Sequence, residues 1–260
     1  MATGGHRPHT AAVNKQLGQG DGERGALVTE VKAQAAILGG FAGLLWLIQI
    51  VNAFLFRGAL VNLGVVPRTL GGLWGILFAP FLHVSFAHLI ANTVPLLVLG
   101  WFVMLRRKRD LFTVSLLAAL VGGLGTWLIA PALSVTVGAS VLIFGYLGYL
   151  LSRGIFERRF WPIAGSLLVF FLYGGALFGI LPGALGISWQ AHLFGLLGGV
   201  LAARMMRGEA GAVPRSEPVR RRIAEGAGGR SRVEALADQD AEIEAELERA
   251  REMVKAQRGG

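Results

Sequence analysis

Six long apolar runs, separated by short loops, are the feature of this sequence that most constrains its fold. Each run is mostly hydrophobic over 15 to 23 residues, close to the roughly 20 residues that an α-helix needs to cross a bilayer. Only 16% of the residues are charged, against about 25% in a soluble domain. The pattern predicts an all-α membrane protein with six spanning helices, at residues 35–56, 83–105, 111–131, 138–152, 160–181 and 187–203.

The basic residues predict how these helices are oriented. Residues 33–206 carry ten Lys/Arg and two Asp/Glu, and most of the basic ones lie at 106–109, at 153–159 and directly after the last run. Because cytoplasmic loops are the ones enriched in Lys and Arg, we expect a multi-pass protein of the plasma membrane with both termini in the cytoplasm. A basic excess set between apolar runs also favours a lipid bilayer, and not nucleic acid, as the partner.

The same patterning divides the chain into three regions. We expect a polar cytoplasmic tail at residues 1–34, a helical domain at 35–206 and a second cytoplasmic tail at 207–260. In the second tail a flexible basic linker leads into a charged helix at 231–257, for which a solvated helix is favoured over a coiled coil at this length.

The connection at residues 57–82 is longer than the other loops and contains prolines and several glycines. It is expected to be a structured surface segment on the external side, despite its two arginines.

Polar side chains inside the apolar runs need an explanation, because they are costly at membrane depth. His88 and Asn92 share one face of the second helix, Ser140 begins the fourth run and His192 lies in the sixth. Counted from the basic residue that closes each run, Ser140, His192 and Asn92 lie roughly 18 to 21 Å above the cytoplasmic end. The runs contain no Asp or Glu, so any chemistry there depends on serine, histidine and asparagine.

The fourth run is predicted to be too short to cross, since its 15 residues give about 22 Å of helix. Its N-terminus is then buried, where the helix dipole and free N–H groups can stabilise an anion. We therefore interpret Ser140 as a nucleophile and His192 as its general base and later acid. The N–H of Ser140, with His88 and Asn92, would donate to the oxyanion.

Without an acid to orient it, His192 is expected to be held by packing. Phe144 lies one turn after Ser140 on the same helix face, so its ring could stack on the imidazole. Gly195 and Gly199 form a small-residue face that allows close helix packing, together with Gly138 and two further glycines of the fourth run.

These residues resemble the motifs of the rhomboid family of intramembrane serine proteases. The resemblance covers about 57–204 and rests on His-x-x-x-Asn at 88–92, Gly-x-Ser at 138–140 and Ala-His-x-x-Gly-x-x-x-Gly at 191–199. It implies a six-helix bundle that cleaves transmembrane helices of other proteins without a metal or cofactor. It also implies a Ser140–His192 dyad, an oxyanion hole with His88 and Asn92, and a family histidine at His83.

Two positions depart from that family pattern. Val141 replaces the last glycine of Gly-x-Ser-Gly and places a branched side chain beside the oxyanion site. Gly75 replaces the arginine of a Trp-Arg pair, after Trp74, and removes a charge that would anchor the first loop.

Three other interpretations stay open at this point. One is an inactive relative that binds transmembrane helices without cutting them, motivated by Val141. A metalloenzyme using His83, His88 and His192 is disfavoured, because the runs contain neither carboxylates nor His-Glu-x-x-His. A transporter with a broken fourth helix ranks last, since no inverted repeat is visible. The sequence leaves the substrate and the oligomeric state undetermined.

Overall fold

The computed structural model describes residues 8–183 and 186–207, with side chains described from residue 24 onward. Within these ranges the chain is helical, and its one β-bridge joins Val65 to Thr136. The charged helix predicted at 231–257 lies outside the described residues. The α-helices are α1 (Pro8–Phe54), α2 (Leu70–Phe78), α3 (Phe86–Met104), α4 (Lys108–Ile129), α5 (Ser140–Glu157), α6 (Phe160–Tyr173) and α7 (Trp189–Met206).

Every predicted apolar run contains a helix, so the all-α prediction is confirmed. Four segments are long and apolar enough to cross a membrane, namely residues 24–54 of α1, α3, α4, and α6 with the 3₁₀-helix that follows it. Large apolar side chains lie exposed on the outer surface, such as those of Trp161 and Phe171, each 80% exposed, as is expected of a surface that faces lipid. The total of six spans and the orientation of the termini stay predictions. So do the region boundaries, the first of which lies within α1.

Helices α5 and α7 correspond to the fourth and sixth runs, and their backbones pack against each other through glycine. A Cβ on Gly199 would collide with the carbonyl oxygen of Gly145, and one on Gly148 would collide with that of Leu196. Any side chain at these positions would push the two helices apart. The helices that carry Ser140 and His192 are therefore held at backbone contact.

The predicted end of the fourth run at residue 152 was wrong. Helix α5 continues to Glu157, because Arg153 and Glu157 pair across one helical turn, with Nε and Oε1 2.6 Å apart. Its 18 residues correspond to about 27 Å of helix, so α5 is as long as α7.

A buried ionic cluster lies near the C-terminal end of α5, at the opposite end of that helix from Ser140. Asp110, in the first turn of α4, is fully buried and pairs with Arg106 at 2.7 Å. Arg106 also donates to the carbonyl of Met206 at 3.0 Å. The apolar run at 111–131 lacked a carboxylate, but the helix that contains it begins three residues earlier and includes one.

The segment between α1 and α3 is ordered by helix and by backbone contacts, as predicted for 57–82. A 3₁₀-helix at Ala59–Leu63 precedes α2, and a second at Ala79–Phe81 follows it. Thr69 caps α2 by accepting the Gly72 N–H at 3.0 Å, which is the usual role of threonine at this position.

Helix α3 begins later than its apolar run. Ser85 is its N-cap and accepts the backbone N–H of His88 at 3.1 Å. His83, placed by hydrophobicity in the second run, therefore lies in the loop before the helix. Its side chain faces the connection that leads to Ser140, as described below.

Candidate active site

Ser140 is the first residue of α5, and the two residues before it are tied to the segment between α1 and α3. The backbone N–H of Gly138 donates to the carbonyl of Ala79 at 2.9 Å. The N–H of Ala139 donates to Nε2 of His83 at 3.3 Å. These bonds fix the backbone of the two residues that precede Ser140. The first N–H groups of α5 have no intrahelical partners, as at the start of any helix.

His83 acts on the site through this backbone contact. Its side chain is fully buried, and burial, with the nearby charge of His88, lowers the pKa of His83 to about 4. The imidazole is therefore neutral near pH 7, which leaves Nε2 able to accept the Ala139 N–H. Its ring also packs edge-on against that of His88, with centroids 5.1 Å apart.

His88 and Ser140 flank one small space in front of Gly138. Gly138 has φ +125, a backbone conformation that favours glycine. A Cβ built there would lie 3.0 Å from Nε2 of His88 and 3.7 Å from Oγ of Ser140. The missing side chain of Gly138 is thus what keeps the volume between these two side chains open.

Asn92 lies one turn after His88 on α3 and is buried, 5% exposed. Its Nδ2 donates to the carbonyl of His88 at 3.0 Å. An amide nitrogen carries two N–H groups, so one of them is engaged within α3 and the other remains for a ligand. This bond also sets the direction in which the amide points.

His192 is oriented by a backbone carbonyl as well as by a ring. Its Nδ1 lies 3.0 Å from the carbonyl oxygen of Gly179, which can only accept, so Nδ1 carries the proton and Nε2 keeps its lone pair. The ring of Phe144 stacks on the imidazole with centroids 4.0 Å apart and planes 9° apart. The expectation that packing alone orients His192 was therefore incomplete.

A cavity of about 460 Å³ brings the predicted polar residues together. Its lining includes Ser140, His192, His88 and Asn92, with apolar side chains around them. Gly138 and Phe144 also line it, whereas His83, Gly195 and Gly199 do not. This is a concave, mostly apolar space with a few converging polar groups, the usual form of a binding site.

Gly195 sets the distance between α5 and α7 beside the site. A Cβ on Gly195 would lie 2.5 Å from the carbonyl oxygen of Val141. Because Val141 follows Ser140 and Gly195 lies one turn after His192, this contact brings the two helices together next to the candidate dyad.

Both departures from the family pattern are explained by packing. The side chain of Val141 is buried and points towards Gly122 of α4, where an added Cβ would collide with it, and towards Gly195. It therefore fills a gap between α4 and α7. Gly75 has no room for a side chain, because a Cβ there would collide with the backbone of Gly64.

Sequence reasoning missed several polar contributors. The carbonyl groups of Gly179 and Ala79 carry no sequence signal, since every residue has one. Thr136 and Ser188 both line the cavity, and Thr136 donates to Ser188 at 3.4 Å. Gln190 is 6% exposed and accepts from Ser188 at 3.4 Å, so it is tied to the site through that residue. Gln190 was detectable as a polar residue in an apolar run, by the argument that identified His192.

Metal binding finds no support in the part of the chain that the structure describes. No group of three or more His, Asp or Glu side chains there is arranged to hold a metal ion. The three histidines considered for such a site take part in other contacts: His83 accepts the Ala139 N–H, His88 packs against the ring of His83, and His192 is bonded to the Gly179 carbonyl.

Gly138→Ala tests the open space in front of Ser140. The new methyl would lie 2.7 Å from Cε1 of His88, and the alanine would have to adopt φ +125, which L-residues rarely do. We expect the rate of any Ser140-dependent reaction to fall by about 10²- to 10³-fold, as when one oxyanion donor is lost. Rates measured in detergent against Gly165→Ala, where an added Cβ meets nothing within 4 Å, would check this. Equal rates for the two variants would contradict it.

Comparison with known proteins gives the family. A model of the Rhomboid domain matches residues 70–209. An uncharacterized protein of Mycobacterium tuberculosis is 42% identical over 174 residues, which cover 64% of this chain and 72% of that one. The putative rhomboid protease YdcA of Bacillus subtilis is 33% identical over 144 residues, 54% of this chain and 69% of that protein.

A second Bacillus subtilis protein, the rhomboid protease GluP, is 32% identical over 135 residues, 51% of this chain and 26% of GluP. The family match spans α2 to α7 and includes Ser140, His192, His88 and Asn92. Taken with the apolar helices, it makes the chain an integral membrane protein. The chain belongs to the rhomboid family.

Proposed function

We propose that this protein is an intramembrane serine endopeptidase that cleaves transmembrane helices through a Ser140–His192 dyad. The observation that carries the proposal is the orientation of His192. Its Nδ1 is engaged by the Gly179 carbonyl, which leaves Nε2 as the basic nitrogen, and His192 and Ser140 line the same cavity. Family membership supports the reaction class, and the close α5–α7 packing supports the pairing of the two side chains.

The chemistry would follow the usual course of serine proteases. Nε2 of His192 removes the proton from Oγ of Ser140 as Oγ bonds to the scissile carbonyl carbon. Collapse of the tetrahedral intermediate breaks the C–N bond, and His192 gives its proton to the leaving amine. Water, deprotonated by His192, then hydrolyses the acyl-enzyme and regenerates Ser140.

The developing oxyanion would be bound beside Gly138. The N–H of Ser140, the imidazole of His88 and the second N–H of Asn92 are its proposed donors. Preorganised donors of this kind act strongly in a site from which water is largely excluded. The Gly179 carbonyl takes the place of a carboxylate in orienting His192, so a dyad is enough.

The wider setting is proposed on the same basis. Six spans, with α5 and α7 as the fourth and sixth, would place both termini in the cytoplasm and the site towards the external leaflet of the plasma membrane. The substrates would be transmembrane helices of other proteins, which reach the cavity from the bilayer. The regions at 1–34 and 207–260 would then be cytoplasmic tails around the protease domain at 35–206.

A fluorophosphonate probe and a model transmembrane substrate test this function. We expect the purified protein in detergent to be labelled and to cleave, and Ser140→Ala to do neither. Thr29→Val is the matched control, because it removes a hydroxyl that is bonded within α1, to the Gly25 carbonyl at 2.8 Å. That variant should behave like the wild type.

Other outcomes separate the alternatives. Substrate binding without labelling or cleavage would overturn the protease and favour an inactive relative that binds helices. Cleavage that survives Ser140→Ala and stops with chelator would favour metal chemistry.

A further inference from the structure

Arg68 occupies a backbone position where a glycine would be less strained. Pro67 and Arg68 lie at the centre of a turn before α2, and Arg68 has φ +57. A positive φ at the second central residue of a turn is normally supplied by glycine or asparagine. A long charged side chain at such a position suggests that the side chain itself is needed.

That side chain binds the end of α4. Nη1 of Arg68 donates to the carbonyl oxygens of Leu128 and Ala130, at 3.0 and 2.8 Å, and its backbone N–H donates to Trp127 at 3.1 Å. The last carbonyls of a helix lack intrahelical partners and carry its partial negative charge. Arg68 therefore caps a helix that belongs to a different part of the chain.

The contact is reciprocated by Trp127. Its indole Nε1 donates to the carbonyl of Thr69 at 2.8 Å, the residue after Arg68. The two segments thus exchange hydrogen bonds in both directions, which gives the junction a defined geometry. We call this set of bonds the Arg68 junction.

The Arg68 junction lies at the start of the connection that leads to Ser140. Between Ala130 and Ser140, Val65 and Thr136 exchange two backbone hydrogen bonds of 3.0 Å. Further on, Gly138 is bonded to Ala79, and Ala139 to His83, as described above. The connection is therefore held to the segment 55–85 at its start, its middle and its end.

Gly75, in the same segment, is the position where the family pattern has an arginine. Gly75 faces the backbone of Gly64, so no side chain fits there. The anchoring cation that Gly75 lacks is present instead at Arg68, seven residues earlier, on backbone carbonyls and not on an acid.

We propose that Arg68 is a positioning residue, whose bonds to the end of α4 hold the connection 130–139 in the register that sets Ser140 and its N–H. Resting on the proposed function, this makes Arg68 act on the turnover of bound substrate and not on substrate affinity. It touches no reacting atom, and its effect passes through Thr136 and Gly138.

Two measurements on Arg68→Ala test the proposal. Amide hydrogen exchange in peptides covering 130–139 should rise by about tenfold, because two charged hydrogen bonds are lost from a local structure. At a temperature well below unfolding, kcat for cleavage should fall by about tenfold while KM changes by less than about twofold. Arg68→Lys keeps the charge and should recover most of both.

Arg57→Ala is the matched control. Arg57 lies in the same segment, is exposed and has φ +50. The control therefore removes the same charge at a position with a similar backbone conformation. It should leave exchange and kcat at the wild-type values. Unchanged exchange in Arg68→Ala, or an equal effect of Arg57→Ala, would overturn the proposal.

If Arg68→Ala does not fold, a second variant, Trp127→Phe, still tests the proposal. Trp127→Phe removes the reciprocal indole bond and should raise exchange over 130–139 in the same direction, by a smaller factor. Wild-type exchange in that variant would count against the Arg68 junction. A wild-type protein that is never labelled at Ser140 would defeat the proposed function alone, since the exchange measurement does not depend on activity.

Discussion

Replacing His192 with alanine is expected to abolish cleavage of a transmembrane substrate. Loss of either partner of a serine–histidine pair removes the whole nucleophilic pathway, and in a soluble serine protease it lowers kcat by roughly 10⁶-fold. A similar loss is expected here, which places the variant below detection in a gel-based assay. Fluorophosphonate labelling of Ser140 should fall in parallel, because the probe also needs the activated hydroxyl.

The double variant Ser140→Ala/His192→Ala separates a working pair from two independent residues. If the two act together, the double variant should lose no more than either single one, measured with a fluorogenic substrate at high enzyme concentration so that the residual rates can be compared. Phe144→Leu serves as a milder comparison, because it removes the ring stacked on His192 and leaves the bond to Gly179. Cleavage by His192→Ala within about a hundredfold of the wild type would contradict the dyad.

The helical fold follows from the apolar runs because length and apolar composition act on each helix separately. Helix ends depend on neighbours instead. Ser85 moves the start of α3 past His83 by capping it, and the Arg153–Glu157 pair extends α5. Caps and ion pairs are made by polar groups at the ends of the runs, so a pattern of apolar residues could not place those boundaries.

Side chains of the candidate site could be predicted because each is polar in an apolar run. The groups that orient them could not, since Gly179 and Ala79 contribute carbonyls that any residue would supply. Their importance comes from tertiary placement, in which the 3₁₀-helix after α6 brings Gly179 to His192. The same holds for Arg68, whose partners are more than fifty residues away.

The unusual residues of the sequence also needed the structure. In the sequence, Val141 is only a departure from the family pattern. In the structure, Gly122 on α4 provides the space that the Val141 side chain occupies. Substitutions at packed positions are coupled through shared volume. A single sequence shows the first member of such a pair and gives no indication of the second.

Gly199→Ala should be among the most destabilising single substitutions in this protein. A Cβ there collides with the Gly145 carbonyl and lies 2.8 Å from the backbone N of Tyr149. Backbone cannot move aside as a flexible side chain can, so α5 and α7 must separate. Overpacking of this kind costs about 3 kcal/mol, which corresponds to a fall in Tm of roughly 10 °C for a domain of this size.

Thermal unfolding in detergent would measure this effect, with Gly165→Ala as the matched control. An added Cβ on Gly165 of α6 meets nothing within 4 Å, and alanine is favoured over glycine in a helix by about 1 kcal/mol. The control should therefore unfold at or slightly above the wild-type temperature. Separation of α5 from α7 also moves Ser140 away from His192, so labelling of folded Gly199→Ala should fall at temperatures well below its Tm. A Gly199→Ala protein as stable and as readily labelled as Gly165→Ala would show that the site does not depend on backbone contact between these helices.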